Sequence, residues 1–168
     1  MKTIVLPKLL IDGTSNQPIE EPAIVIENNR VLAIESLANI QSLIDDGAKV
    51  IEAKDKVALP GLIDGHVHLN FSASENPLNE ILCETDEEIL LRSVRNAQTA
   101  LRAGITTVRE CGCKRCSVLK LRDLIAKKFL IGTRIVASGT PITTTGGHCH
   151  FFGLEADTVD EVLKATRY

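Results

Sequence analysis

Two histidines separated by one residue, His66 and His68, are the side chains of this sequence best suited to chemistry. They end an apolar segment, residues 62–68, whose pattern predicts a short strand, and residues i and i+2 of a strand share one face. Two imidazoles on one face can bind a divalent cation, which we favour over histidines bonded to backbone or water. Asp64 shares that face and is a candidate to orient an imidazole. A catalytic zinc usually has about three protein ligands, so others must come from elsewhere.

A second His-x-His pair, His148 and His150, lies in the segment Thr-Thr-Thr-Gly-Gly-His-Cys-His at residues 143–150. This segment follows the third predicted strand of an α/β pattern, and parallel α/β folds bind ligands at the carboxyl ends of their strands. We favour a substrate contact for His148, with a carboxylate or a developing oxyanion. Two alternatives stay open: exposed histidines of a glycine-rich loop, or a metal site that His148 or His150 completes with the first pair.

The cysteines are odd in number, which indicates free thiols in a reducing compartment. They are Cys83, Cys111, Cys113, Cys116 and Cys149. The last four offer thiolates for a zinc or iron–sulfur site, but a second Cys-x-x-Cys is missing, so we favour incidental thiols.

Two charged residues, Arg109 and Glu110, close the second predicted strand. Charges at the end of a strand in an α/β fold suit the mouth of an active site. An ordinary solvated ion pair between the two side chains fits the sequence equally well.

The order of predicted elements changes near residue 58. Residues 1–57 form a small β-rich part with strands at 3–10, 23–27, 31–36, 49–52 and 57–59, a hairpin turn at Asn28-Asn29 and a helix at 38–44. Residues 58–168 alternate strands at 62–68, 105–109 and 134–138 with helices that begin at Thr85, run from Val118 to Phe129, and begin at Asp157 or Thr158, with a long loop at 139–153. This alternation predicts parallel strands with right-handed crossovers.

Composition excludes several classes of function. The 168 residues carry a net charge of −3, and no basic face for nucleic acid is apparent. The apolar runs are too short to span a membrane, and residues 1–7 lack the apolar core of a signal peptide. We therefore expect a cytoplasmic protein.

Three segments, residues 60–69, 103–110 and 138–148, together resemble the metal-dependent amidohydrolase superfamily. The resemblance is to its imidazolonepropionase-like and Xaa-Pro dipeptidase-like branch, to which arginine carboxypeptidases are also similar. It implies an α/β fold, a (β/α)8 TIM barrel with a small β-sandwich built from both chain ends. On this basis residues 1–57 are half of the sandwich, and residues 58–168 are about three βα units of the barrel.

The resemblance also implies a site and a reaction. His66 and His68 match the first two metal ligands of the family, and His148 matches a loop residue associated with substrate. The family binds one or two divalent ions, most often zinc, and hydrolyses C–N bonds by metal-activated water. Dipeptide-like compounds, N-acyl amino acids and cyclic amides are the implied substrates. The family's bridging lysine, two further histidines and its catalytic aspartate would lie beyond Tyr168.

The 168 residues thus read as the N-terminal part of an enzyme, expected to be inactive or nearly so alone. A three-stranded parallel sheet leaves edges and apolar faces uncovered, so we expect association with further copies or with the missing C-terminal half. The alternative is a non-catalytic metal-binding or assembly module that uses both histidine pairs.

Overall fold

The computed structural model describes residues 2–167. The chain divides into two compact units, Met1–Pro60 and Gly61–Tyr168. The sequence analysis predicts a boundary between residues 57 and 58, close to this division.

The first unit is a mixed five-stranded sheet. It consists of β1 (Lys2–Leu10), β2 (Ile19–Glu20), β3 (Ala23–Glu27), β4 (Arg30–Glu35), a 3₁₀ turn (Leu37–Asn39), α1 (Gln41–Asp45) and β5 (Lys49–Ala58). β1 is its centre, antiparallel to β2 and β3 and parallel to β5, while β3 and β4 form a hairpin. Its buried core consists of Ile4, Leu6, Ala23, Val25 and Ile40.

Two details of the first unit differ from the sequence predictions. The strands predicted at 49–52 and 57–59 are one strand, β5, because it pairs with β1 along its whole length across one irregularity. The helix predicted at 38–44 is a 3₁₀ turn followed by α1, which begins after Ile40. The predicted hairpin turn is confirmed, since Asn28 has a φ of 56°.

The second unit is the predicted α/β alternation. Its elements are β6 (Leu62–Val67), α2 (Pro77–Cys83), α3 (Asp86–Arg102), β7 (Ile105–Glu110), α4 (Ser117–Ala126), β8 (Arg134–Ala137), β9 (Ile142–Thr143), β10 (Leu154–Glu155) and α5 (Val159–Thr166). β6, β7 and β8 pair in that order and are parallel. The prediction of parallel strands in this part of the chain is confirmed.

Local signals explain the differences in this unit. The loop predicted before Thr85 contains α2, whose start is marked by the cap Asn76 and by Pro77 in its first turn. The capping box at Thr85 is confirmed, and Thr158 rather than Asp157 caps α5. Phe129 lies beyond the end of α4 and is 81% exposed.

The long loop after β8 also contains the small parallel pair β9 and β10, which the sequence analysis did not predict. Within residues 2–167, no helix combines the length and the apolar character needed to cross a membrane.

The two faces of the β6–β7–β8 sheet have different surroundings. Val108 and Ile135, which are register partners, are buried with residues of α3 and α4. Ile63 and Val136 lie on the strands around them and are 71% and 56% exposed. Because side chains alternate along a strand, the helices cover one face while apolar side chains of the other face meet solvent.

Candidate metal centre

The end of β6 brings the first histidine pair together. The Nε2 atoms of His66 and His68 lie 3.4 Å apart, with ring centroids 5.2 Å apart. Two nitrogens each bonded at about 2.05 Å to a tetrahedral zinc are about 3.3 Å from one another. The two imidazoles therefore have the separation that chelation of a single zinc ion requires.

The backbone of a neighbouring loop positions His68. Its Nδ1 lies 3.0 Å from the carbonyl oxygen of Gly112, in the loop that follows β7. Because a carbonyl oxygen can only accept a hydrogen bond, this contact assigns the proton to Nδ1, and the lone pair then lies on Nε2, 3.4 Å from Nε2 of His66. Gly112 has a φ of 151°, and a Cβ there would lie 3.1 Å from the ring of Pro141. Glycine thus lets this backbone lie close to Pro141 while its carbonyl faces the imidazole.

Asp64 contacts the same strand end through the backbone. Its Oδ1 accepts a hydrogen bond from the His66 amide at 3.1 Å. Asp64 was predicted as a candidate to orient an imidazole, whereas the hydrogen bond of the His68 ring is accepted by the Gly112 carbonyl. Because this acceptor is a backbone carbonyl, no residue type in the sequence predicts it, and only the glycine at position 112 hints at an unusual backbone there.

Arg109 and Glu110 lie in opposite surroundings at the end of β7. Arg109 is exposed, whereas Glu110 is 0% exposed, and residues 2–167 contain no ion pair between them. The solvated ion pair that the sequence also allowed is therefore not formed. Burial raises the pKa of Glu110 to about 7, and the nearby Gly112 amide offsets that rise only in part. Its Oε1 lies 3.9 Å from Nδ1 of His68.

No third ligand joins the histidine pair within the described part of the chain. There, no group of three His, Cys, Asp or Glu side chains lies close enough to hold a metal ion. The geometry thus supports neither His148 nor His150 as a further ligand, nor a site built from the cysteines. Cys113 is buried, and burial raises the pKa of its thiol to about 11.

Two acidic residues support the loop that carries the second histidine pair. Asp157 accepts hydrogen bonds from the Thr145 amide at 2.8 Å and from its hydroxyl at 2.5 Å. Glu155 accepts one from the Gly146 amide at 2.7 Å. His148 is exposed, and His150 is exposed with its Nδ1 3.0 Å from the Gly147 carbonyl. The two carboxylates thus hold the start of this loop, and His148 is exposed.

An aromatic contact joins this loop to the first histidine pair. Phe152 is 7% exposed, and its ring lies 5.8 Å from Phe71 and 6.4 Å from His68, between centroids. Phe71 lies 5.7 Å from His68. The sequence analysis missed both phenylalanines. The sequence could have indicated them, because aromatic residues make up only 3% of the chain and these two lie within a few residues of the histidine pairs.

A family model and several known proteins are similar in sequence to this chain. The sequence model of the amidohydrolase family matches residues 57–167. Ochratoxinase of Aspergillus niger is 28% identical over 160 residues, which cover 94% of this chain and 32% of that protein. The imidazolonepropionase of Fusobacterium nucleatum is 24% identical over 151 residues, 70% of this chain and 37% of that protein. The chain spans about a third of the length of these relatives.

Solved structures are also similar to this chain. A Xaa-Pro dipeptidase with methionine bound in its active site is 30% identical, with a TM-score of 0.82 over 99% of this chain and 44% of its own. The crystal structure of A. niger ochratoxinase is 24% identical, with a TM-score of 0.78 over 99% of this chain and 43% of its own, and shows likeness of fold. The family match covers more than half of the chain. This chain belongs to the amidohydrolase family.

Proposed function

We propose that this chain supplies the first two ligands, His66 and His68, of the metal site in a hydrolase that cleaves C–N bonds. The observation that carries the proposal is the 3.4 Å separation of their Nε2 atoms, which matches two corners of a zinc tetrahedron. The Gly112 carbonyl supports it, because it leaves Nε2 of His68 free to bind. A divalent cation, zinc above all, would activate water and polarise the scissile carbonyl.

We assign substrate binding to His148. Its loop follows β8, is held by Glu155 and Asp157, and is joined to His68 through Phe152. An exposed imidazole on a fixed loop can receive a carboxylate or a developing oxyanion. The substrate class is a dipeptide-like compound, an N-acyl amino acid or a cyclic amide. The methionine in the active site of the similar dipeptidase supports a ligand with an amino-acid carboxylate.

The proposed architecture of the whole enzyme is a (β/α)8 barrel, of which β6, β7 and β8 are the first strands. The exposed Ile63 and Val136 would then face the interior of that barrel. Contact with the C-terminal half, or with another copy of this chain, would cover them. The first unit would be half of a β-sandwich, and we propose a cytoplasmic location.

A second candidate is a non-catalytic metal-binding or assembly module. It is favoured by the exposed apolar face of the β6–β7–β8 sheet, on which Ile63 and Val136 are 71% and 56% exposed. Such a module would bind a cation and would use its open sheet face for association, without hydrolysing a substrate.

Titration of the metal-free chain with Co²⁺ or Zn²⁺ tests the metal site. We expect one equivalent to bind, and we expect His66→Ala and His68→Ala each to weaken binding by at least tenfold. His150→Ala is the matched control, since its imidazole contacts its own loop. Equal binding by wild type and a His66→Ala/His68→Ala variant would remove the basis of the proposal.

Hydrolysis separates the two candidates. The zinc-loaded chain is assayed on Xaa-Pro dipeptides, N-acyl amino acids and cyclic amides, alone and as part of a longer polypeptide that completes the barrel. The enzyme hypothesis expects little or no turnover by the 168 residues and clear turnover by the longer polypeptide. Zinc binding without turnover in both would favour the module.

A further inference from the structure

The side chain of Glu110 is the least satisfied polar group of the second unit. It is 0% exposed, neither of its carboxylate oxygens has a hydrogen-bond partner of good geometry within the described residues, and the nearby Gly112 amide offsets the cost of burial only in part. Burying a carboxylate without donors or a counter-charge is costly, so such a group calls for an explanation. Its backbone position, opposite Val67 and Ala137 in the sheet, places it beside the end of β6.

The cations near this end of the sheet are engaged elsewhere or point away. The Lys114 ammonium donates a hydrogen bond to the Ile81 carbonyl at 2.7 Å, and Arg115 forms an ion pair with Asp86 at 2.8 Å. Arg109 is exposed and has no ion pair with Glu110. Besides the Gly112 amide and the Cys113 thiol, the imidazole of His68 approaches Glu110, with Nδ1 3.9 Å from Oε1.

Nδ1 of His68 therefore has two electronegative neighbours. The Gly112 carbonyl accepts its hydrogen bond at 3.0 Å, and the Glu110 carboxylate lies just beyond hydrogen-bond distance. When the opposite nitrogen of an imidazole binds a cation, positive charge develops across the ring. A buried anion beside Nδ1 is then stabilising, and that same charge compensates the burial of the anion.

We propose that Glu110 is a positioning residue for the metal site, a buried counter-charge that acts through His68 and strengthens its hold on the cation. The proposal rests on the proposed function, because it requires a cation at His66 and His68. In this arrangement Gly112 orients the His68 ring, and Glu110 compensates the positive charge that the ring acquires when the cation binds. Glu110 itself is not a ligand in this arrangement.

Three variants test the proposal by metal affinity and by stability. Glu110→Gln keeps the shape of the side chain and removes its charge, and Glu110→Asp keeps the charge but moves it away from His68. Glu84→Gln is a control at a partly buried carboxylate, which pairs with Arg92. We expect the dissociation constant for Zn²⁺ or Co²⁺ to rise about 10- to 100-fold in Glu110→Gln, less in Glu110→Asp, and not in Glu84→Gln.

Stability separates this role from a merely structural one. The thermal midpoint of Glu110→Gln in the presence of a chelator should equal or exceed that of wild type, because a buried carboxylate without partners is lost. The rise in midpoint on adding Zn²⁺ should shrink in the same variant. A structural role would lower the metal-free midpoint and leave the metal-induced rise intact.

The outcomes distinguish the two proposals. If wild type binds metal through His66 and His68 but Glu110→Gln binds it equally well, the role of Glu110 is overturned and the metal site stands. If wild type binds no metal at these histidines, both proposals fail. Should Glu110→Gln not fold, an unchanged affinity in Glu110→Asp would also overturn the role.

Discussion

The carbonyl oxygen of Gly112 lies 3.0 Å from Nδ1 of His68, although 44 residues separate them along the chain. This bond joins the ends of two parallel strands, β6 and β7, and selects the nitrogen of His68 that stays free. The candidate site thus depends on the conformation of the loop after β7 as well as on the histidines.

Replacing Gly112 should therefore weaken metal binding. Gly112→Ala places a Cβ 3.1 Å from Pro141 at a φ of 151°, so the loop must shift and the carbonyl moves from His68. We expect the Zn²⁺ dissociation constant to rise about tenfold or more. Gly104→Ala is the control, since Gly104 also has a positive φ, with open space around its would-be Cβ. Equal losses of affinity in both variants would contradict this role for Gly112.

Asn70 should stabilise the same loop. It is 1% exposed, its amide donates to Ser93 and Ser117 at 2.9 and 3.1 Å, and its oxygen accepts from the Lys114 amide at 2.7 Å. Asn70→Ala removes these bonds and leaves buried groups without partners. We expect the free energy of unfolding in urea to fall by about 2–4 kcal/mol.

Asn39→Ala is the control for Asn70. Asn39 makes an exposed side-chain hydrogen bond to Glu35, so its removal should change the free energy of unfolding little. A loss below 1 kcal/mol in Asn70→Ala would show that the network contributes little to the fold.

Asp157 should control the mobility of the loop that carries His148. It accepts hydrogen bonds from the amide and the hydroxyl of Thr145, and these bonds hold the pKa of its carboxyl below the usual range. In Asp157→Ala the amide of Thr145 should exchange with solvent faster by about tenfold, because it loses its acceptor. Asp160→Ala, in the first turn of α5, is a control for general effects on that helix. Unchanged exchange in Asp157→Ala would contradict the role of the carboxylate.

Stability of the metal-free chain should fall as the pH rises through the titration of Glu110. Burial raises its pKa from 4.5 to about 7, so the folded chain binds more protons than the unfolded chain between those values. The stabilisation is present below about pH 4.5 and is lost as the pH approaches 7, by on the order of 3 kcal/mol at most.

Urea denaturation from pH 4.5 to 8 in the presence of a chelator measures this effect. The free energy of unfolding should depend less steeply on pH in Glu110→Gln, and the comparison cancels the contributions of the titratable groups that both proteins contain and that lie far from residue 110. Identical slopes would mean that Glu110 does not titrate in this range.

The sequence alone predicted the two histidine side chains that form the candidate metal site. The spacing of His66 and His68 within a strand pattern predicts a shared face, because strand periodicity is local. The alternation of strands and helices predicts the parallel order of β6, β7 and β8, and the family resemblance follows from motifs in consistent order. Capping residues such as Thr85 also act within a few residues and were therefore predictable.

Tertiary structure alone decided what surrounds the histidines. The Gly112 carbonyl, the buried Glu110 carboxylate and the Phe152 ring reach His68 from segments distant in sequence. A backbone acceptor has no residue type to reveal it, and whether a glutamate at a strand end is solvated or buried depends on how helices and loops pack around the sheet. The sequence by itself determined the donor atoms, and packing determined which nitrogen is free and which charge lies behind it.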